Sequence, residues 1–335
     1  MRLSRFAVVL ALVLAPAASR ATSKLIVIEP SSPPPSGEDD SNGSEKAPRS
    51  SRHDRERDAI KGLFWEARAP ENHSKTGGRV FLLGSIHVGN DSFYPLPPAI
   101  QKAFDSSDTL AVEVDLRPGH ENQDATRLLH AGSYAAGANY SLRNAVTKSC
   151  YSDVQEAADA LAIPMTKLSL MKPWMATFVL ENNEARLAGL KPELGLDLHF
   201  LKLARGHKDI DELEGLDAQI DFFNDLPKDE QAAMLCATAK ESKSFKADMD
   251  RMMRAWKSGD AGSLAAILDE SAKDPEVKEA LNALIANRNS AMVQKIAPYF
   301  ASEGNHFVVV GAAHLVGPSG IVKLLQDQKY IVEQK

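Results

Sequence analysis

Two short stretches of the chain share one arrangement. Gly84-Ser85-Ile86-His87-Val88-Gly89 and Gly311-Ala312-Ala313-His314-Leu315-Val316-Gly317 each set a histidine three residues after a glycine, with another glycine shortly beyond. Each follows an apolar run, Val80-Phe81-Leu82-Leu83 in one case and Phe307-Val308-Val309-Val310 in the other. Imidazole can move protons near neutral pH or bind a metal ion through a ring nitrogen. A lone histidine after a strand is ordinarily a hydrogen-bonded structural residue, but packing alone gives no reason to choose it twice in the same context. Ligands in open α/β sheets gather beyond the carboxyl ends of the strands, where a glycine lets the backbone turn closely beneath them.

Glu113 is the third candidate. In Leu110-Ala111-Val112-Glu113-Val114-Asp115-Leu116 the even-numbered aliphatic residues take one face and Glu113 the other. A carboxylate in a core-like strand is costly unless it is paired, hydrogen-bonded or bound to a metal. The competing expectation is a half-exposed strand with one solvated face, which also accounts for Asp115.

Farther along, Val277, Leu281, Leu284, Arg288 and Met292 follow helical steps of four, three, four and four residues, placing Arg288 on an apolar stripe. An inward guanidinium needs a carboxylate or an anionic substrate group, whereas one that snorkels needs neither. Its neighbour Asn289 can orient a water or a carbonyl. Arg288 and Asn289 are therefore the expected substrate-binding residues. Asp197, in Gly195-Leu196-Asp197-Leu198-His199, reads as a helix cap, and Glu214 as the start of a helix near its positive end. Gln219 is a weaker polar mark. Lys172-Pro173-Trp174 reads as a helix start with proline at the first position and a buried indole.

The elements that must hold these residues alternate. Strands are expected at Leu63 to Glu66, Val80 to Leu83, Leu110 to Val114, Met165 to Leu168, Ile210 to Leu213, Phe307 to Val310 and Tyr330 to Val332. Helical patterns cover Pro97 to Phe104, Asp153 to Leu161, Pro173 to Leu187, Leu194 to Ala204, Glu230 to Ala239, Phe245 to Trp256 and Asp274 to Ala297, the last with Asp274 as its cap. The fold class is α/β: a mixed central sheet flanked by helices, with a helix-rich insertion between about Asp217 and Pro298.

The beginning of the chain has a different character. Arg2 and Arg5 precede an apolar stretch from Phe6 to Leu14, and Ala15, Ala17, Ser19 and Ala21 offer small-residue cleavage positions. Residues 1–21 thus read as a secretory signal peptide too short to span a bilayer, with an uncleaved anchor as the alternative. Residues 22–58, rich in Ser, Pro, Gly and charge, read as a disordered linker. Asn42-Gly43-Ser44 matches a glycosylation sequon that has meaning only in a eukaryotic source. Residues 59–335 remain for one large domain.

The net charge is −6. With no basic stripe carrying interleaved aromatics, a nucleic-acid partner is disfavoured. No internal repeat and no later membrane-length apolar stretch is found. Cys150 and Cys236 are the only cysteines. In an oxidising compartment they can form one long-range bridge, and their sequence equally allows two separate buried thiols.

The ordered set of marks resembles the TraB/GumN family, which includes the TIKI proteases and lies near the ChaN and erythromycin-esterase group. The likeness rests on Leu82-Leu83-Gly84-Ser85-Ile86-His87-Val88-Gly89, Tyr94-Pro95-Leu96-Pro97, Glu113-Val114-Asp115, Lys172-Pro173-Trp174, Gly195-Leu196-Asp197, Leu213-Glu214, Arg288-Asn289 with Met292, and Val310-Gly311-Ala312-Ala313-His314. Ser85 stands where the family often has threonine, which preserves the hydroxyl. The resemblance implies a compact α/β domain and, through the TIKI members, metal-dependent peptide cleavage using the paired histidine motifs and a glutamate.

The expected protein is an exported hydrolase, periplasmic or secreted, that acts on a peptide or small-molecule substrate with His87, Glu113 and His314 as its catalytic residues. In one version the same three residues bind a divalent metal ion that activates water. In the other, an esterase-like hydrolase without metal, a histidine oriented by the glutamate is the general base. A protein that binds a peptide or signal in the same cleft without cleaving it is the alternative from another class.

Overall fold

The apolar runs form the centre of a six-stranded sheet in the computed structural model, which describes residues 60–70, 78–135, 137, 140–273 and 275–335. The leader at 1–21, the linker at 22–58, the Asn42 sequon and the Asp274 cap lie outside the described residues. The strands are β1 Phe64–Arg68, β2 Arg79–Ser85, β3 Thr109–Val112, β4 Asp209–Glu212, β5 His306–Gly311 and β6 Ile331–Gln334. Their spatial order is β4-β3-β5-β2-β1-β6. β4, β3, β5 and β2 run parallel, while β1 is antiparallel to both β2 and β6, so the sheet is mixed as expected. β5 is buried along its whole length, which is why its sequence is a continuous apolar run rather than an alternation.

Helices fill the crossovers. α1 Pro98–Asp105 joins β2 to β3, and α2 Glu121–Ala131, α3 Lys148–Ala160, α4 Pro173–Leu187 and α5 Leu196–Ala204 lie between β3 and β4. Between β4 and β5 come α6 Leu216–Asp225, α7 Lys228–Glu241, α8 Phe245–Ser258, α9 Ala261–Ser271, α10 Pro275–Asn282 and α11 Arg288–Ile296, and α12 Ile321–Asp327 joins β5 to β6. Phe307 of β5 packs against Phe104 of α1 and Phe200 of α5, with ring centroids 5.5 and 4.9 Å away. Cys150 of α3 and Cys236 of α7 form a disulfide, which resolves the choice left open by the sequence. Among the described residues no helix is long and apolar enough to cross a membrane.

Two expectations are corrected. Met165–Leu168 is a single helical turn rather than a strand: Pro164 sets its entry, and four residues bounded by Ser169 find no strand to pair with. The expected helix from Asp274 to Ala297 is not uniform, because a π-helical segment at Ala283–Asn287 separates α10 from α11. α2, α9 and α12 had no counterpart in the pattern, and α6 was marked only by the helix start read at Glu214. α2 buries only Ala125 and Leu128, and α12 only Ile321 and Leu325, too few positions to mark a stripe.

Candidate active site at the ends of the parallel strands

β2 and β5 lie side by side in register, with Ser85 opposite Gly311, so the two histidine motifs leave the sheet as neighbours. His87 follows β2 within the first loop residues. His314 sits on the single helical turn Ala312–Leu315 that follows β5. The Trp256 indole of α8 donates to the Gly84 carbonyl at 2.6 Å and fixes the first exit from outside. Glu113 is the first residue beyond β3, on the other side of β5, and only 1 % of it is exposed. The half-exposed alternative for this strand is therefore set aside.

The loop after β2 is pressed against the segment that leads into α5. Gly89 and Lys191 exchange backbone hydrogen bonds, and the Leu196 amide donates to the Ile86 carbonyl. A Cβ on Gly195 would lie 2.3 Å from the His87 carbonyl oxygen, so only glycine permits this approach. It carries Asp197 under the imidazole. Asp197 Oδ2 lies 2.8 Å from His87 Nδ1, and Asp197 Oδ1 accepts from the Ser85 hydroxyl at 3.0 Å. Asp197 is not the helix cap expected from the sequence. That position belongs to Gly195, and Asp197 lies buried in the first turn of α5.

His314 is held from the opposite side. Asn289 donates from Nδ2 to the His314 and Ser319 carbonyls at 3.2 and 2.7 Å, which turns its Oδ1 toward His314 Nδ1 at 2.6 Å. The ring nitrogen facing that oxygen must carry the proton, so His314 Nε2 presents a lone pair when the ring is neutral. His87, facing Asp197 through Nδ1, is set in the same way. Both Nε2 atoms are buried and without a hydrogen-bond partner.

Glu113 completes the group. Its Oε1 accepts from the Gly311 amide at 2.7 Å and lies 3.9 Å from His314 Nε2. Its Oε2 accepts from Arg288 Nη2 at 3.0 Å and, more weakly, from Gln219 at 3.4 Å. Arg288 also holds Glu214 through Nε at 2.7 Å and Nη2 at 2.5 Å, and Gln219 donates to Glu214 at 2.8 Å. Arg288 thus faces inward, as the stripe indicated, and does not snorkel. The π segment just before it leaves consecutive side chains to reach different targets, Arg288 to the two glutamates and Asn289 to His314.

These contacts separate the titrations. Burial drives the His314 imidazole well below its ordinary value, with Arg288 and His87 adding repulsion, so that ring is neutral. Burial also opposes charge on His87, but the Asp197 charge and hydrogen bond, helped by Glu113, outweigh it and raise the pKa. Burial lifts Glu113 to about 7 against the pull of Arg288 and His87. For Glu214, burial is outweighed by Arg288 and the Gln219 hydrogen bond, and its pKa falls. Two glutamates, Glu113 and Glu214, share one guanidinium while Asp197 faces His87, and the excess of negative charge suits a proton on Glu113, a proton on His87 toward the acid side, or an external cation.

The two imidazoles fit a metal ion, since each offers an unpartnered Nε2 with the opposite nitrogen held by an oxygen. Glu113 stands beside them with its oxygens already engaged. Among the described residues no group of three His, Cys, Asp or Glu side chains is gathered to hold a metal.

Sequence reasoning missed the part of Asp197 in holding His87, and it treated Gln219 and Glu214 as incidental. The available signal for Asp197 was an acid flanked by Leu196 and Leu198 straight after a glycine. Lys172-Pro173-Trp174 behaves as expected, with proline at the first turn of α4 and a fully buried indole whose Nε1 donates to Asn224.

A mixed sheet with this buried polar cluster at its parallel strand ends defines an α/β protein. The chain belongs to the TraB/PrgY/gumN family, whose model matches residues 64–334. It is similar to an uncharacterized protein, YbaP, from Escherichia coli (strain K12), being 27% identical over 252 residues that cover 75% of this chain and 89% of that protein. An uncharacterized protein from Treponema pallidum (strain Nichols) is 22% identical over 283 residues, covering 80% of this chain and 81% of its own. No solved structure matches.

Proposed function

We propose that this chain is an exported hydrolase that activates water between His87 and His314, with peptide bonds as its first substrate class. The observation that carries this reading is the pair of buried Nε2 atoms without hydrogen-bond partners beside one carboxylate. Burial of such atoms is costly in a purely structural role. His87 in its neutral form takes the proton from water, and Asp197 stabilises the resulting imidazolium. Glu113, with a pKa lifted to about 7, can pass a proton to the leaving group near neutral pH.

Arg288 and Asn289, expected from the sequence to bind substrate, are assigned positioning roles, because their hydrogen bonds run to Glu113, Glu214 and His314. A divalent metal, where present, would be held by His87 and His314 through Nε2 with Glu113 alongside, and would supply Lewis acidity and a lowered pKa for bound water. A cavity of about 350 Å³ opens at the β3 and β4 ends and shares only Glu214 with the hydrogen-bonded cluster. The Cys150–Cys236 disulfide supports an oxidising compartment and thus export to the periplasm or the exterior.

A binding protein that sequesters its ligand draws support from the depth of the site, where His87, Glu113 and His314 are each at most 2 % exposed. The deciding experiment uses protein purified without chelators or a histidine tag, analysed for metal and incubated with peptide and ester pools. Turnover lost in His87→Ala and His314→Ala supports the hydrolase. Saturable binding with the ligand recovered intact would replace it by the binding reading.

A further inference from the structure

Helices α4 and α7 pack along one another and bury three carboxyl groups, Glu181 and Glu184 from α4 and Glu241 from α7. The Thr238 hydroxyl donates to Glu181 Oε1 at 3.4 Å, a long bond. Glu181 Oε2 and both oxygens of Glu184 have no hydrogen-bond partner of ordinary geometry, although the Ser242 hydroxyl lies close enough to favour charge on Glu184 slightly. The charges acting on Glu181 come from Glu184 and Glu241, both of its own sign.

Among the described residues the surrounding elements supply no opposing cation to this pair. On α4 itself Arg186 is exposed and donates to Asn183. Lys240 of α7 is exposed, and Lys243 reaches out to Glu156 of α3. α8, which packs on α4, contributes another buried acid, Asp248. α3 and α10, on the other sides of α7, keep Glu156, Asp159, Lys278 and Glu279 at exposed positions. Ionising Glu181 and Glu184 here would carry the desolvation cost with no ion pair to offset it.

We infer that Glu181 and Glu184 are neutral carboxylic acids in the folded chain, making the α4–α7 pair a proton-dependent clamp that stabilises the fold in acid and loosens as pH rises. Burial lifts Glu184 to about 7 and Glu181 well above its ordinary value. The folded state therefore keeps protons that the unfolded chain releases in the ordinary carboxylate range. Their stabilisation is fully present below that range; the share of Glu184 is lost as pH rises through about 7 and that of Glu181 as pH rises through its own raised value.

The test is thermal unfolding of the full chain from pH 5 to pH 8, compared with the Glu181→Gln/Glu184→Gln double variant, whose amides match the shape of the protonated acids. The wild-type midpoint is expected to fall toward pH 8, and the variant's to fall about 5–10 °C less. The variant should be the more stable protein at pH 8 and no more stable than wild type at pH 5. Parallel curves overturn the clamp, as does a wild-type midpoint raised at pH 8 by magnesium or calcium but unmoved in the variant, which would make the cluster a cation site. If the double variant does not fold, Glu184→Gln alone gives the same readout by urea midpoint.

Discussion

At the strand ends Glu113 and Glu214 share the Arg288 guanidinium and Asp197 is set against His87, whereas between α4 and α7 Glu181 and Glu184 meet no cation among the described residues. Both regions bury several carboxyl groups. In the first, counter-charges and backbone amides hold ionisable groups in fixed directions, the arrangement that proton transfer requires. In the second, packing admits the groups only with their protons. Burial of an acid is thus no sign of chemistry by itself; what faces the acid distinguishes a site from a clamp.

The sharpest way to break this contrast is to truncate the imidazoles. His87→Ala and His314→Ala should each lower turnover by roughly 10²–10⁴-fold while the disulfide-linked lobe stays folded. Because the two act as a unit, the double variant should be about as inactive as either single one. Turnover that survives both substitutions would leave the cluster real and its catalytic assignment wrong. Kinetics alongside near-ultraviolet circular dichroism separates lost chemistry from lost fold.

A smaller effect of opposite kind is expected in the helical region. Replacing Cys150 and Cys236 together by serine opens a loop spanning a sequence separation of 86 residues. In the chain-entropy model the loss is on the order of 4 kcal/mol, read from urea unfolding. Turnover per folded molecule should be unchanged. Alkylation of the unfolded, unreduced wild type should find no free thiol.

The mildest test sharpens the comparison within the site. Asp197→Asn keeps the shape beside His87 and removes the charge that raises its pKa. His87 then stays neutral to lower pH, so the acidic limb of kcat/KM should move down in pH. The weaker hold on the ring should reduce activity by about 10–100-fold. An unmoved limb would assign it to another group.

Much of this architecture is legible in the residues. Six of the seven expected strands are present, and the most legible, β2 and β5, are buried strands that must be apolar runs. Met165–Leu168 misled because four residues with apolar ends are too short for periodicity to separate strand from helical turn, and Pro164 decides the outcome. Within the site, His87, His314, Glu113 and the inward Arg288 were visible as polar residues in apolar settings. Asp197 was not, since an acid near a helix start has an ordinary explanation until its distance to His87 is known.

The sequence by itself determined most of the element types, the oxidisable cysteine pair and the candidates for chemistry, all of which follow from local composition and spacing. Only tertiary structure decided which candidates meet. Parallel pairing of β2 with β5 and of β5 with β3 brings residues 87, 113 and 314 to one rim, although more than two hundred positions separate the histidines. The same packing turned Asn289 toward His314, set Asp197 under His87 and left Glu181 and Glu184 without a cation. Hydrogen-bond partners and burial are properties of through-space neighbours, and chain order does not specify those neighbours until the sheet register and helix packing are in place.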